Sequence, residues 1–243
     1  MDERERQGRI DLAAALRWAC RLGLNEGVCN HFSLAVNDDG TEYLINPQGF
    51  HWSELTAGDM MRLNVDGRIV SGKHTVEPTA FHIHGRLHAR LPHATAALHT
   101  HMPYATALTC LDNGRLEPTY ISSLRFHDRI AYDEEFNGVA LSDDEGDRIA
   151  RAMGNKPVCM MGNHGVMVTG RNMAWAFDTL YYLERAAQVQ VLAMSTGKPL
   201  RRLPEHILDQ SVAQIEGEEQ QVTLHFDAIK RILDREEPEY RTL

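Results

Sequence analysis

The chain has 243 residues, of which 43% are apolar and 24% are charged, a composition typical of a folded globular protein and unlike that of a disordered one. It carries 25 lysine and arginine residues against 34 aspartate and glutamate residues, which gives a net charge of −9. Because the chain is acidic and lacks a basic cluster, we expect neither nucleic acid nor an anionic membrane surface as its partner.

The lack of a recognisable targeting signal and the pattern of cysteines predict a cytoplasmic protein. No apolar run reaches the ~18 residues that a membrane span needs, and the charged N-terminus lacks the apolar stretch of a signal peptide. The four cysteines are scattered and form no CxxC pair. We therefore expect reduced thiols and a cytoplasmic protein that does not enter a membrane.

The first third of the chain predicts one helix and two hairpins. Residues 10–22 carry leucine and alanine at helical spacing, and Gly23 follows as a helix stop. Alternating segments at 31–36 and 43–45, with Asn-Asp-Asp-Gly between them, predict a hairpin. A second hairpin is predicted over 61–70.

The rest of the chain interleaves strands and helices. The patterns predict helices over 79–90, 142–153 and 173–194, and strands over 95–101, 158–161 and 166–169. This alternation predicts an α/β fold in one domain. The tail from 203 to 243 is polar with helical stretches, and we expect its close at 236–239 to be loose.

Histidines are concentrated in one stretch of the chain. Seven of the 13 lie between His74 and His101, and the stretch ends in His99-Thr100-His101 on a predicted strand. Side chains two apart on a strand point to one face, roughly 6.5 Å apart along the chain. Two imidazoles in that arrangement can chelate one divalent ion, although paired histidines also occur at surfaces.

Two further residues have a structural and a functional interpretation each. His164 lies in a tight turn flanked by glycines, either as a solvated turn residue or as a third metal ligand. Glu77 precedes Pro78, either as a helix-start acid or as a fourth ligand or general base. Three histidines and a carboxylate would suit zinc or manganese.

A second histidine pair competes for the metal. His84 and His88 are four apart on a predicted helix and share one of its faces. The glutamate of the HExxH motif is absent between them. We interpret the pair as packing histidines and keep a second metal site as the alternative.

A series of short motifs then identifies a family resemblance. In chain order they are Asn30-His31-Phe32-Ser33, Asn46-Pro47-Gln48-Gly49, Thr75-Val76-Glu77, Leu98-His99-Thr100-His101 and Asn163-His164-Gly165-Val166. In this order they resemble the class II aldolase/adducin family from about residue 8 to residue 200.

The resemblance implies an architecture and an assembly. The expected fold over residues 1–243 is one three-layer α/β/α domain around a central mixed, largely antiparallel sheet. Its core spans about 8–200, and 203–243 forms a helical C-terminal extension. The family assembles as a four-fold homotetramer with active sites between subunits.

The resemblance also implies the catalytic set. His99, His101 and His164 match the metal ligands, for one divalent ion per subunit, with zinc as the expected ion and manganese as the alternative. Glu77 matches the catalytic acid/base. Tyr120 stands about where the aldolases supply a tyrosine from the neighbouring subunit as proton donor.

The positions that hold phosphate in the sugar-phosphate aldolases depart from the family pattern. They correspond to the substrate-binding residues Asn30, Gln48, Gly49 and Thr75, with Val76 beside them. Gln48 replaces a serine, and Val76 removes another hydroxyl. A phosphate dianion needs several donors in a cup, so we expect an unphosphorylated small-molecule substrate.

The expected function is a metal-dependent carbon–carbon lyase. As an aldolase, the protein would perform retro-aldol cleavage of a small hydroxy-carbonyl compound through a metal-stabilised enolate. A decarboxylase of a hydroxy or aromatic carboxylic acid is one alternative, and a non-catalytic adducin-like binding or scaffold domain is the other.

Overall fold

One mixed sheet forms the centre of the computed structural model, which describes residues 1–136, 138, 142–216 and 219–243. Its strands are β1 (His31–Ala35), β2 (Glu42–Ile45), β3 (Met61–Asn64), β4 (Ile69–Ser71), β5 (Ala96–Thr100), β6 (Ile130–Asp133), β7 (Val158–Met161) and β8 (Gly165–Gly170). Their spatial order is β4-β3-β2-β1-β5-β8-β7-β6. Neighbouring strands are antiparallel except for the parallel pair β6 and β7.

Helices cover both faces of this sheet. They are α1 (Glu3–Arg21), α2 (Pro78–Arg90), α3 (Pro103–Thr109), α4 (Asp143–Met153), α5 (Met173–Met194), α6 (Glu205–Glu216) and α7 (Glu219–Glu236). Apolar residues of α1, α3, α5 and α7 share one core cluster with one sheet face, and those of α2 and α4 share another with the opposite face. The predicted α/β/α fold with a mixed, largely antiparallel sheet is therefore confirmed.

The central strand β5 is buried on both faces, as its apolar sequence predicts. Ala96 and Leu98 point into the α1 and α5 core, whereas Ala97 packs on the α2 and α4 side. Strand alternation therefore puts His99 on the α2 side of the sheet.

Most predicted elements form, with differences at their ends. Helix α1 begins at Glu3, earlier than residue 10, because the Asp2 carboxylate accepts a hydrogen bond from the Glu5 N–H at 2.8 Å and caps the helix. Strand β5 ends at Thr100, one residue short of the predicted end. The sequence patterns do not predict helix α3, whose seven residues make only about two turns, or strand β6, which ends in the charged Asp133 and lacks the continuous apolar run of β7.

The expectation of a loose segment at 236–239 is wrong. The chain there packs against the first helix, and Tyr240, just beyond it, is completely buried. The Arg17 guanidinium lies 2.8 Å from the carboxylate of Glu237 and 3.0 Å from that of Glu239. These ion pairs join opposite ends of the chain, so polar composition alone could not reveal them.

The four cysteines are free thiols, and Cys159 alone among them is buried. No helix in the described ranges combines the length and the apolar character that crossing a bilayer requires.

Candidate active site

Three histidines from two segments of the chain converge at the place in the sheet where strand β5 ends and strand β8 begins. His99 lies on β5, His101 lies just beyond its end, and His164 lies in the turn between β7 and β8. The Nε2 atoms of His99 and His101 are 3.1 Å apart, and one ligand nitrogen from each histidine lies within 4.8 Å of the other two. Nitrogens around a tetrahedral metal at ~2.1 Å would be about 3.4 Å apart. The three side chains therefore fit one divalent ion.

The β7–β8 turn positions His164, although for a different reason than the sequence suggested. Asn163 has the left-handed φ of 53°, while Gly162 and Gly165 do not have a positive φ. Gly165 is required by space, because a Cβ there would lie 2.6 Å from the Thr100 carbonyl oxygen and 2.8 Å from Cδ2 of His101. The absence of a side chain at Gly165 thus lets the turn approach the other two histidines.

Hydrogen bonds orient two of the candidate ligands. Nδ1 of His99 donates to the Val166 carbonyl oxygen at 2.9 Å. Nδ1 of His101 is 2.5 Å from the Glu26 carboxylate. Each contact holds the Nδ1 proton and leaves the Nε2 lone pair for a metal. Sequence reasoning missed Glu26, since a single acid in a turn carries no recognisable pattern.

Burial favours the neutral form of the His99 and His164 imidazoles, which is the form that binds a metal. Desolvation, with His31 and His164 nearby, holds the pKa of His99 well below its usual value. Desolvation followed by the proximity of His101 lowers the pKa of His164 to about 4.

Glu77 has the structural role considered above and also borders the site. Its Oε2 accepts a hydrogen bond from the Ala80 N–H at 2.9 Å and another from the Thr79 hydroxyl, so it caps α2. It lines the same cavity as His101 and His164. It does not belong to the metal-spaced cluster found among the described residues, which consists of the three histidines.

A cavity of about 660 Å³ opens beside the histidines. Its polar wall includes Asn30, His31, Gln48, Glu77, His101 and His164, and its apolar wall includes Val28, Ile83 and Phe136. Among the described lining residues there is no lysine or arginine.

The candidate substrate-binding residues occupy different parts of this cavity. Asn30, Gln48 and Gly49 line it, and the buried Nδ2 of Asn30 has no hydrogen-bond partner in the described chain. Thr75 is not a lining residue, but its hydroxyl donates to Oε1 of Gln48 at 3.4 Å. Tyr120 does not line the cavity of its own chain and precedes the short 3₁₀ turn Ile121–Phe126.

A buried polar network that sequence reasoning did not assemble lies behind the metal-spaced cluster. His31 on β1 is paired in register with His99 on β5, with ring centroids 4.8 Å apart. Its Nδ1 is 2.7 Å from Nε2 of His84, and the Ser33 hydroxyl joins His84 to His88. The helical spacing of His84 and His88 predicted their shared face, but only strand pairing brings His31 and Ser33 to it.

Comparisons with known proteins show which family and which solved structures this chain resembles. The family model described as Class II Aldolase and Adducin N-terminal domain matches residues 10–191. An aldolase class 2 protein from Caulobacter vibrioides is 31% identical, over 99% of this chain and 94% of its own. Decarboxylase NovR from Streptomyces niveus is 30% identical, over 77% of this chain and 70% of its own. The crystal structure of an aldolase II superfamily protein from Pseudomonas syringae superposes with a TM-score of 0.92 at 30% identity, covering 99% of this chain and 97% of its own.

Proposed function

Because the chain belongs to the class II aldolase and adducin family, we propose that it is a metal-dependent carbon–carbon lyase of the aldolase type. The observation that carries the proposal is the convergence of three histidines beside a cavity that Glu77 also lines. The substrate would be a small hydroxy-carbonyl compound, and the site of action the cytoplasm, where the four free thiols stay reduced.

The proposed metal ligands are His99, His101 and His164. Zinc is the proposed ion, since imidazole nitrogens in a tetrahedral arrangement suit it, and manganese is the alternative. When bound, such an ion supplies Lewis-acid polarisation of substrate oxygens. The Val166 carbonyl and the Glu26 carboxylate support the assignment, because they hold the Nδ1 protons away from the ion.

The remaining roles fall to residues around the cavity. We assign Glu77 as the group that takes a proton from the substrate hydroxyl and returns it to carbon after the bond breaks. Asn30 would donate from Nδ2, which has no partner in the described part of the chain, and Gln48, Gly49 and Thr75 would complete the substrate-binding side.

The cavity supports an unphosphorylated substrate. A phosphate dianion is normally held by cationic side chains or several converging donors. The described lining of this chain offers no lysine or arginine, and an apolar Val76 stands beside Thr75. Sugar phosphates should therefore bind no better than their unphosphorylated parents in a competition series.

Decarboxylation of a hydroxy or aromatic acid is the second candidate. The apolar wall formed by Val28, Ile83 and Phe136 could accept an aromatic ring, and one relative is named a decarboxylase. Two readouts separate the candidates: deuterium incorporation into dihydroxyacetone favours the aldolase, and CO₂ release from hydroxy and aromatic acids favours the decarboxylase. A non-catalytic, adducin-like protein would give neither signal.

Metal content tests the proposed site directly. The purified protein should contain about one equivalent of divalent metal per chain, and the His99→Ala, His101→Ala double variant should lose most of it. His206→Ala, which removes an exposed histidine on α6, is the matched control. Undiminished metal in the double variant would move the site elsewhere, with His84 and His88 as the first candidates.

We also propose a homotetramer in which Tyr120 of one subunit serves as a proton donor in the active site of a neighbouring subunit. The position of Tyr120 outside its own cavity supports this arrangement. Light scattering should give four chains, and co-assembled Tyr120→Phe and Glu77→Gln subunits should recover part of the deuterium-exchange activity that each variant lacks. A fully active monomer, or mixed subunits that stay inactive, would contradict the shared site.

A further inference from the structure

A continuous run of buried hydrogen bonds leads away from the cavity and into the sheet–helix interface. It connects Nδ1 of His31 to Nε2 of His84 at 2.7 Å, and Nδ1 of His84 to the Ser33 hydroxyl at 2.5 Å. The Ser33 hydroxyl also lies 2.8 Å from Nε2 of His88. Nδ1 of His88 ends the run at the Ala94 carbonyl oxygen, 2.8 Å away. None of these side chains is more than 6% exposed.

The carbonyl at the far end determines the direction of every hydrogen bond. A carbonyl oxygen only accepts, so Nδ1 of His88 must carry a proton. Desolvation lowers the pKa of His88 to about 4, so the neutral ring leaves Nε2 as an acceptor. The Ser33 hydroxyl therefore donates to His88 and accepts from Nδ1 of His84.

The same reasoning determines which ring nitrogens of His84 and of the cavity-lining His31 carry a proton. Neutral His84, protonated on Nδ1, offers Nε2 as an acceptor, so Nδ1 of His31 must donate to it. His31 is thus held as the Nδ1–H tautomer, and its Nε2 carries the lone pair. Because Nδ1 is directed at His84, the Nε2 side of this cavity-lining ring is the side left to meet a ligand.

We propose that His31 is a specificity-determining residue that accepts a hydrogen bond from a substrate hydroxyl, and that Ser33, His84 and His88 are positioning residues that hold its tautomer. The inference rests on the proposed function for the substrate class. Asn30 supports it, since this residue lines the same cavity next to His31 and its Nδ2 donor has no hydrogen-bond partner among the described residues. A hydroxyl satisfies both groups, whereas an ether oxygen can only accept.

Neutron diffraction from deuterium-exchanged crystals of the metal-loaded protein tests the tautomers without reference to activity. Deuterium is expected on Nδ1 of His31, His84 and His88, with Nε2 of His31 bare. In Ser33→Ala, His84 loses its partner and deuterium should redistribute between the ring nitrogens of His31. Ser122→Ala, a buried serine outside the network, should leave the pattern unchanged. Deuterium on Nε2 of His31 in the unmodified protein would overturn the proposal.

Calorimetry with glycolate and methoxyacetate tests the recognition itself. Glycolate carries a hydroxyl that can donate a hydrogen bond, whereas the ether oxygen of methoxyacetate can only accept one. One hydrogen bond is worth about 1 kcal/mol, so the metal-loaded protein should bind glycolate about 5-fold more tightly. This preference should disappear in Ser33→Ala, and also in His31→Phe, which keeps Ser33 in place should the first variant not fold. Equal affinity for both acids, or binding of neither, would overturn the proposal.

Metal content of the same proteins separates the two proposals. His31→Phe should keep its metal, and loss of metal would make His31 a ligand and overturn its role as an acceptor. A native protein without metal would contradict the proposed function while leaving the tautomer pattern to be judged by diffraction.

Discussion

At the scale of single residues, Glu77 shows how one side chain can have a structural and a chemical role. Its Oε2 caps α2, and the residue lines the cavity next to the histidines. The cap fixes the position of the carboxylate at the start of the helix. A carboxylate held in a fixed position beside the substrate cavity is what a general base requires.

Glu77→Gln should therefore separate the two roles. An amide can still accept a hydrogen bond at the cap but cannot carry a proton between substrate atoms. We expect deuterium exchange into dihydroxyacetone to fall by ~10²–10⁴-fold with metal content unchanged, and the unfolding free energy to fall by no more than about 1 kcal/mol.

The matched control is Asp2→Asn, which alters the N-terminal cap of α1 and lies far from Glu77 in the chain. It should show a similar loss of stability and retain full exchange activity. A near-normal exchange rate in Glu77→Gln would return this residue to a purely capping role.

At the scale of elements, the C-terminal segment is part of the domain core. Helix α7 contributes Phe226, Ile229 and Leu233 to the cluster that includes α1 and α5, and Tyr240 joins it from the final turn. The Tyr240 hydroxyl donates to the Asp234 carboxylate at 2.9 Å. The docking of this segment on α1 therefore depends on both apolar packing and ion pairs.

Tyr240→Ala should be strongly destabilising because it empties a completely buried site. Large aromatic truncations in cores cost roughly 3 kcal/mol or more. Denaturant unfolding should show this as a lower midpoint, while Leu243→Ala, at an exposed position, should leave the midpoint unchanged. If both variants unfold alike, the C-terminal segment is not part of the cooperative core.

At the scale of the whole molecule, buried neutral histidines link stability to pH. Burial lowers the pKa of His88 from 6.5 to about 4, so between these values the unfolded chain binds a proton that the folded chain does not. The unfolding free energy must therefore decrease as pH falls through this interval, by at most about 1.4 kcal/mol per pH unit for one group.

Denaturant titrations at several pH values check this dependence. His88→Gln should flatten the slope relative to the unmodified protein, whereas His206→Gln, at an exposed histidine, should not change it. A steeper slope in His88→Gln than in the unmodified protein would mean that His88 is charged in the folded protein, which would contradict the hydrogen-bond directions inferred above.

The sequence by itself determined those features that depend on local order. Hydrophobic spacing and turn residues predicted α5, both N-terminal hairpins and the buried strand β5, because periodicity of 2 or 3.6 residues reports which face is covered. The chain order of the histidine motifs predicted the family, and with it the layered fold.

Only the tertiary structure decided the features that depend on contacts distant in the chain. Strand pairing set His31 opposite His99, and the packing of α2 on β1 joined Ser33 to His84 and His88. The approach of Glu26 to His101 and the ion pairs of Arg17 with the C-terminal segment belong to the same class. Register and docking are selected by the burial of whole surfaces, and no local pattern in the chain encodes which polar side chains then meet.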